Sequence, residues 1–369
     1  TLYTRWGPII RVDLMSAYGG PSAPLDYRDV GISPHYTGPA PAHLRIHHDA
    51  TAGAFMYQVT PDRRGLQMFR HHVLTAPYVL RERPEVLTIG LGGGSDVVNP
   101  LENGAARVTA AELDPVTVDL VTNRYRDFTG GIYQRPEVTI HASEGRHFVR
   151  STPERYDLIQ ITGVDTLAAL STGAYILSEN SLYTVDAYLD YIRVLRPDGI
   201  HSLGTLDGHP RYGSPRHAMR LTGLSYEALK ARGIERPHEH IMVVATRVGI
   251  SEVEILTKLS PFTEAEISAM ERFIHDQGFQ GWYLPNRPAR QFASFRSFIE
   301  GSPEERERLM GTTFLNLRPT IDDRPFRGLT FEHHDAHDSL ILTFGDDADE
   351  HITHIIENPH DLNVLDAGN

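Results

Sequence analysis

The sequence predicts a doubly wound α/β fold: a seven-stranded sheet with helices on both faces, a small β extension before it and an irregular lobe after it. Three observations carry this expectation. From Pro84 onward short apolar runs alternate with helical stretches, the pattern of a parallel sheet covered on both faces. The first run leads directly into a glycine-rich turn, Gly90-Leu91-Gly92-Gly93-Gly94-Ser95-Asp96. The second run ends on an acidic residue, Glu112.

At the start of the chain, Ile9 to Leu14 and His43 to His47 alternate apolar and polar residues as half-buried strands do, and the Gly- and Pro-dense loop Tyr18 to Pro41 joins them. This is the β extension, residues 1–60. Strands are then expected at Val86 to Ile89, Val108 to Leu113, Val138 to His141, Leu158 to Thr162 and Ile200 to Leu206. The helical stretches between them fall at about Ser95 to Asn103, Pro115 to Arg126, Gly145 to Ser151 and Ser181 to Leu195. After a helix near Pro215 to Ala231, Ile241 to Thr246 and Val253 to Leu259 are close enough to pair antiparallel at the sheet edge. Thr263 opens an amphipathic helix that runs to Gln277, with Glu264 and Glu266 in its first turn. A ligand-binding domain over residues 61–284 and a lid or appended lobe over 285–369 complete the expected organisation.

Composition removes several function classes. A net charge of −13 argues against non-specific nucleic-acid binding and against docking on an anionic membrane, both of which need clustered cations. The absence of cysteine excludes disulfides, thiolate metal sites and cysteine nucleophiles. Lys230 and Lys258 are the only lysines, which leaves almost no candidate for Schiff-base chemistry. No run of about 18 apolar residues is present, so nothing here reads as a membrane-spanning helix. The chain opens at Thr1, and a processed form or a piece of something longer is expected.

The glycine-rich turn lets the backbone approach a ligand without Cβ clashes. Glu112 lies 22 positions after Gly90, where an acidic side chain meets the two ribose hydroxyls of a nucleoside in this architecture. Asp114 precedes Pro115 and reads equally as a helix cap or a ligand contact. Ser143-Glu144-Gly145-Arg146 follows the third strand, where a carboxylate could accept from an exocyclic amine. A methionine-bearing adenosine gives all of these a role, whereas a nicotinamide dinucleotide leaves Glu144 without one.

These residues resemble a known family. Pro84 to Asp96, Val108 to Pro115, Glu144-Gly145-Arg146 and Leu195 to Ile200 are similar to spermidine synthases, over roughly Gln58 to Leu259. The likeness is closer to a bacterial branch whose members often carry a multi-pass membrane region ahead of the soluble part; Arg5-Trp6, Arg11-Val12-Asp13, Leu177 to Thr184 and Pro319 to Phe326 carry it. The resemblance implies a Rossmann-like sheet of the S-adenosylmethionine-dependent transferase type. By this likeness Gly90, Gly92 and Gly94 cradle the methionine portion and ribose, Glu112 holds the ribose hydroxyls, and Glu144, with Gly145 beside it, faces the adenine.

The departures are specific. Gly93 stands where spermidine synthases carry the aspartate that grips the donor's amine, which favours the carboxylate-bearing donor. Thr162 stands in place of the catalytic aspartate, while the second acidic position, Asp165, is kept. Phe69 and His71 fall near the acceptor-binding tyrosine and glutamate. Tyr175, Glu179 and Tyr183 lie in the segment the family uses to cover the donor, Glu179 reading equally as a helix-start carboxylate. Asp322-Asp323-Arg324-Pro325 could fold back as a charged clamp on the ligand, and reads rather as an ion-pair staple at a turn. His333, His334 and His337 with Asp335 and Asp338 could ligate a metal but match no closed structural zinc site, and no metal is expected.

The expected activity is a transferase that uses S-adenosylmethionine or its decarboxylated form as co-substrate and a small molecule as acceptor, by aminopropyl or methyl transfer. A nucleoside-binding regulatory domain without turnover is the alternative from another class. A homodimer in the cytoplasm is the default, with a membrane region preceding Thr1 as a further expectation.

Overall fold

The structure, a computed structural model, describes residues 1–7, 10–16, 31–48, 52–164, 182–207, 215–246, 251–288 and 292–311, and the backbone of 326–334, 337–347 and 350–357. The chain begins with β1 (Tyr3–Trp6), β2 (Arg11–Ser16), β3 (His43–His48) and β4 (Ala52–Tyr57), an antiparallel sheet in that spatial order. Sequence reading finds β2 and β3 by their alternation but not β1 and β4. Tyr-Thr-Arg-Trp and Ala-Gly-Ala-Phe-Met-Tyr do not alternate, and it is pairing with β2 and β3 that makes them strands. Two 3₁₀ helices, Leu66–His71 and Val73–Val79, lead to the main sheet.

That sheet is built from β5 (Glu85–Ile89), α1 (Ser95–Glu102), β6 (Arg107–Glu112), α2 (Pro115–Asp119), β7 (Val138–Ala142), α3 (Gly145–Ser151), β8 (Tyr156–Thr162), α4 (Val185–Val194), β9 (Leu195–Asp207), α5 (Arg216–Ala231), β10 (Ile241–Ala245), β11 (Ser251–Lys258), α6 (Glu264–Gln277) and β12 (Gln280–Tyr283). The spatial order is β12-β10-β11-β9-β8-β5-β6-β7. Neighbours from β9 to β7 run parallel, and β11, β10 and β12 pair antiparallel. All seven expected strands are present, and β12 adds an eighth on the edge. Its run Gln-Gly-Trp-Tyr is too short to signal a strand by pattern, and it forms by pairing with β10.

The helix expected over Pro115 to Arg126 is one α turn followed by a π turn at Leu120–Arg124. The β-branched Val116, Thr117 and Val118 crowd the helix and favour the change of pitch. The lobe expected to be irregular contains α7 (Ala293–Glu300), α8 (Pro303–Gly311) and an antiparallel meander, β13 (Phe326–His334), β14 (His337–Asp347) and β15 (Glu350–Glu357). The apolar runs Leu340 to Phe344 and Ile352 to Ile356 suit paired strands; His- and Asp-rich flanks mask them in the sequence. His333 pairs with Asp338 and His334 with His337 across the hairpin, and their side chains lie outside the described residues, as does the segment 322–325.

Burial organises the molecule around three apolar clusters. One face of the sheet packs Tyr188, Tyr191, Leu224, Phe295 and Trp282. The other carries Val73, Leu158, Ile200, Leu256 and Met270 beneath the 3₁₀ helix Val73–Val79 and α6. The third joins Leu14, Ile46 and Met56 of the N-terminal sheet to Leu91, Val97 and Val98, so the extension lies directly against the glycine-rich turn. Among the described residues no helix is long and apolar enough to cross a membrane.

β6 and β7 continue from β5 in one direction, while β8 and β9 extend from it in the other. Between β5 and β8 the order reverses, which opens a crevice at the carboxyl ends of the strands where open α/β sheets bind ligands.

Candidate functional site: the crevice at the strand carboxyl ends

The glycine-rich turn leaves β5 with Gly90, Gly92 and Gly94 at φ of 83°, 51° and 103°, values that L side chains rarely adopt. Glu112, at the end of β6, pins this turn. Its Oε2 accepts from the N–H groups of Leu91 (2.7 Å) and Gly92 (3.2 Å), and its Oε1 from Asp114 N–H (3.0 Å). Three donors occupy three of the roughly four acceptor positions of a carboxylate, so the group can still receive a ribose hydroxyl. Leu113, the next residue, is 40% exposed and offers an apolar surface at the crevice beside that carboxylate. The residues fit a nucleoside.

Asp114 caps α2: its Oδ2 accepts from Thr117 N–H and Thr117 Oγ1–H, both at 2.8 Å. Glu144 likewise caps α3, accepting from Arg146 N–H (2.9 Å) and His147 N–H (2.6 Å), with the Gly145 backbone pressed against Ile89. Both carboxylates stand at strand ends bordering the crevice, as the sequence predicts, and each has a structural task there.

Gly93 has a packing cause. A Cβ at this position would lie 2.0 Å from the Phe55 carbonyl oxygen and 2.2 Å from its carbon, because β4 crosses the turn at backbone contact. No side chain can stand there, so its identity reports the approach of the N-terminal sheet rather than a choice of donor. A carboxylate is nevertheless present one helical turn later. Asp96, in the first turn of α1, is 6% exposed and accepts from Gln160 Nε2–H (2.9 Å) and Ser95 Oγ–H (3.2 Å). The Thr162 hydroxyl also bonds it, and Tyr78 O–H donates to Gln160 Oε1 (2.6 Å).

The sheet face above this network changes character toward the strand ends. Leu158 of β8 and Ile200 of β9 are paired and apolar; Gln160 and Ser202 follow, then Thr162 and Gly204, and Gly204 pairs in turn with Glu254 of β11. Glu254 is fully buried and accepts from Ser202 Oγ–H, while its Oε1 has no hydrogen-bond partner among the described residues. Two positions earlier on the same face stands Glu252, with Oε2 3.8 Å from His72 Nε2. His72 Nδ1 accepts from Leu74 N–H (3.1 Å), so the neutral ring carries its proton on Nε2, facing Glu252.

Burial dominates the acidity of all three carboxyls. It raises Asp96 to about 6, against hydrogen bonds from Thr162, Gln160 and Ser95. It raises Glu252 to about 8, with the Asp96 charge adding. Glu254 is pushed well above the ordinary carboxyl range, again first by burial. Among the described residues, no group of three His, Asp or Glu side chains is arranged to hold a metal.

The structure therefore gathers Gly90, Gly92, Gly93, Gly94, Glu112, Asp114, Glu144, Gly145 and Thr162 around one crevice. Asp165, Tyr175 and Glu179 lie outside the described residues; the chain is described up to Val164, whose side chain abuts Gly90. His71 bonds Gln277 through Nδ1 (2.9 Å) and packs on Tyr36, while its neighbour His72 faces the acids. Sequence reasoning passes over Asp96, Gln160, Glu252 and Glu254 as site residues. Glu-Val-Glu-Ile reads as an edge strand with a solvated face, and the packing of the 3₁₀ helix Val73–Val79 over β11 covers that face.

No family model matches the chain. Polyamine aminopropyltransferases from Korarchaeum cryptofilum and Nitrosomonas europaea are 27% and 30% identical over 166 and 155 residues, 44% and 42% of this chain. The chain spans about half the length of these curated relatives, 49% and 43%. Among solved structures, a probable spermidine synthase from Corynebacterium glutamicum superimposes with a TM-score of 0.51 at 17% identity, covering 81% of this chain and 94% of that one. The fold is thus shared with a probable spermidine synthase, and part of the sequence is similar to polyamine aminopropyltransferases.

Proposed function

We propose that the chain is a transferase that takes S-adenosylmethionine or its decarboxylated form as donor and passes a carbon group to a small-molecule acceptor. The observation that carries this reading is Glu112, which ties the glycine-rich turn to the end of β6 at the strand-order reversal and keeps acceptor capacity for a ribose hydroxyl. Aminopropyl transfer is the leading form, supported by the curated relatives' activity and by the Asp96 carboxylate one turn past Gly93.

The bound donor supplies an electrophilic carbon attached to a sulfonium. The acceptor's nucleophile bonds to that carbon, the carbon–sulfur bond breaks with its electron pair moving to sulfur, and the nucleophile sheds a proton. The protein's share is to hold the donor by the turn and Glu112, align the acceptor in line with the breaking bond, and exclude water.

The test supplies each donor with an acceptor panel and identifies the nucleoside product. Methylthioadenosine from the decarboxylated donor is the expected product. Adenosylhomocysteine assigns methyl transfer instead, and donor binding with no product from any acceptor assigns a binding domain without turnover. Glu112→Ala should weaken either donor by at least about tenfold in calorimetric titration, because the turn and the ribose lose their shared acceptor. Unchanged affinity in that variant sinks the assignment of the nucleoside site.

A further inference from the structure

We infer that Gly7 and Asp114 are positioning residues for the donor's ribose: the turn between β1 and β2 seats on Asp114, and Asp114 holds Glu112 in the direction a ribose hydroxyl needs. The inference rests on the nucleoside reading above and makes the N-terminal sheet a working part of that site. Gly7 and Asp114 lie more than a hundred positions apart in sequence, and only the fold brings them together.

The first support is an atom that the helix cap does not use. Asp114 Oδ2 takes both Thr117 donors and caps α2. Its Oδ1 is buried with no hydrogen-bond partner among the described residues. A serine would cap the helix as well and leave no buried acceptor without a donor, which is costly. What faces Oδ1 is Gly7: a Cβ there would lie 2.6 Å from it, 3.2 Å from Ile10 O and 3.3 Å from Val116 Cγ2. Gly7 does not have a positive φ, so glycine is required here by the close approach and not by the backbone conformation. Its N–H donates to Ile10 O (2.8 Å), which closes the turn. With Oδ2 bonded to Thr117 and Oδ1 seated on Gly7, the Asp114 side chain cannot rotate, and the backbone at 114 is fixed with it.

The second support is the path from that contact to the nucleoside acid. Asp114 N–H donates to Glu112 Oε1 (3.0 Å), and Glu112 Oε2 accepts from the N–H groups of Leu91 and Gly92. These three donors set the plane of the carboxylate, and the plane sets where its remaining lone pair points. A binding group must be held within about 10–20° of its productive orientation. A displaced Asp114 moves the first of the three donors, so the fit to a ribose hydroxyl is lost while the sheet stays folded.

The third support is that the rest of the N-terminal sheet braces the same two segments. Arg124 of the π turn stacks over Tyr3 of β1 (4.5 Å), and His48 of β3 bonds Thr117 Oγ1 through Nε2 (3.0 Å). β4 lies against the glycine-rich turn, with the Phe55 backbone at Gly93 and Ala54 Cβ 3.2 Å from the Cβ position of Gly92. Both sets of donors to Glu112, the turn on one side and Asp114 on the other, therefore rest on the N-terminal sheet.

Amide hydrogen exchange and ligand titration of the whole chain test this with Gly7→Ala, Asp114→Ser and the two combined. Serine keeps the cap but empties the seat, and in the double variant the alanine methyl takes the space of Oδ1. In each single variant the amides of Leu91, Gly92 and Asp114 should exchange at least about tenfold faster, with those of Ile267 and Met270 in α6 unchanged. Methylthioadenosine should lose at least about tenfold in affinity, whereas its 2′,3′-dideoxy analogue should lose none. The double variant should recover wild-type exchange and affinity to within about threefold. A packing defect alone would speed exchange in α6 as well and weaken both ligands alike, and such uniform changes overturn the inference. So do unchanged exchange at Leu91 and Gly92 in the single variants and a double variant no better than either. Equal binding of methylthioadenosine and its dideoxy analogue by the wild-type chain sinks the nucleoside proposal, and the exchange data still decide whether Gly7 and Asp114 position Glu112.

Discussion

Gly93 shows how a single position changes meaning between sequence and structure. By alignment of motifs it looks like a lost aspartate; in the structure it is the point where Phe55 of the N-terminal sheet meets the turn. Gly93→Asp should therefore not restore a donor-binding carboxylate. The expected result is a loss of stability of about 3 kcal/mol or more, since the clash is with backbone that cannot rotate away. Urea unfolding reads this. A folded variant of wild-type stability that binds the decarboxylated donor more tightly would return the position to the donor site. Asp96 carries the complementary lesson, because its own side chain is legible in the glycine-rich turn but its burial against Gln160 and Thr162 is not.

At the scale of elements, α6 is the part most completely specified by local sequence. Thr263 caps it, accepting from Glu266 N–H, while the Glu266 carboxylate receives Thr263 N–H. The same Glu266 carboxylate binds Lys258 of β11 (2.8 Å) and Arg81 (2.8 Å), and these contacts outweigh burial to bring it down to about 2. One residue thus closes a capping box and ties the helix to the strand that carries Glu252 and Glu254. Thr263→Ala should reduce stability by about 1 kcal/mol, measured by the urea midpoint, with donor affinity unchanged because the cap lies away from the crevice. A much larger loss would show that the cap also holds β11 in register.

For the whole molecule, the buried acids give stability a pH dependence of definite sign. Asp96 moves from an ordinary value of 3.8 to about 6, and Glu252 from 4.5 to about 8, on folding. The folded chain then keeps protons that the unfolded chain releases. The stabilising contribution is complete below the unfolded values and is lost as pH rises through the folded ones. The groups facing Glu252 are Asp96, Glu254, His72 and Tyr57, and none of the three acids has an arginine or lysine partner among the described residues to reverse the sign. The melting temperature should fall between about pH 7 and 8, above the range in which His201, lowered to about 3 by burial, makes stability rise with pH, and Glu252→Gln should flatten that fall. A melting temperature that rises over this range would show that the carboxylates are ionised and paired in the folded state.

What the sequence determined by itself is local and periodic. Strand–helix alternation defines the parallel part of the sheet, because burial on both faces demands continuous apolar runs. The glycine-rich turn and Glu112 mark the end of the crevice proposed for the nucleoside, since backbone approach and a strand-end acid are short-range requirements. Tertiary structure decided the rest. β1, β4 and β12 exist through their partners rather than through their own pattern, the C-terminal runs are strands because they pair with one another, and Gly93 is explained by a strand some forty residues away in sequence. The two acids of β11 are the clearest case. Glu252 and Glu254 look solvated on an alternating strand, and only the insertion of β11 between β9 and β10, beneath the 3₁₀ helix Val73–Val79, turns that polar face inward. Burial is a property of neighbours, and neighbours distant in sequence are set by the fold.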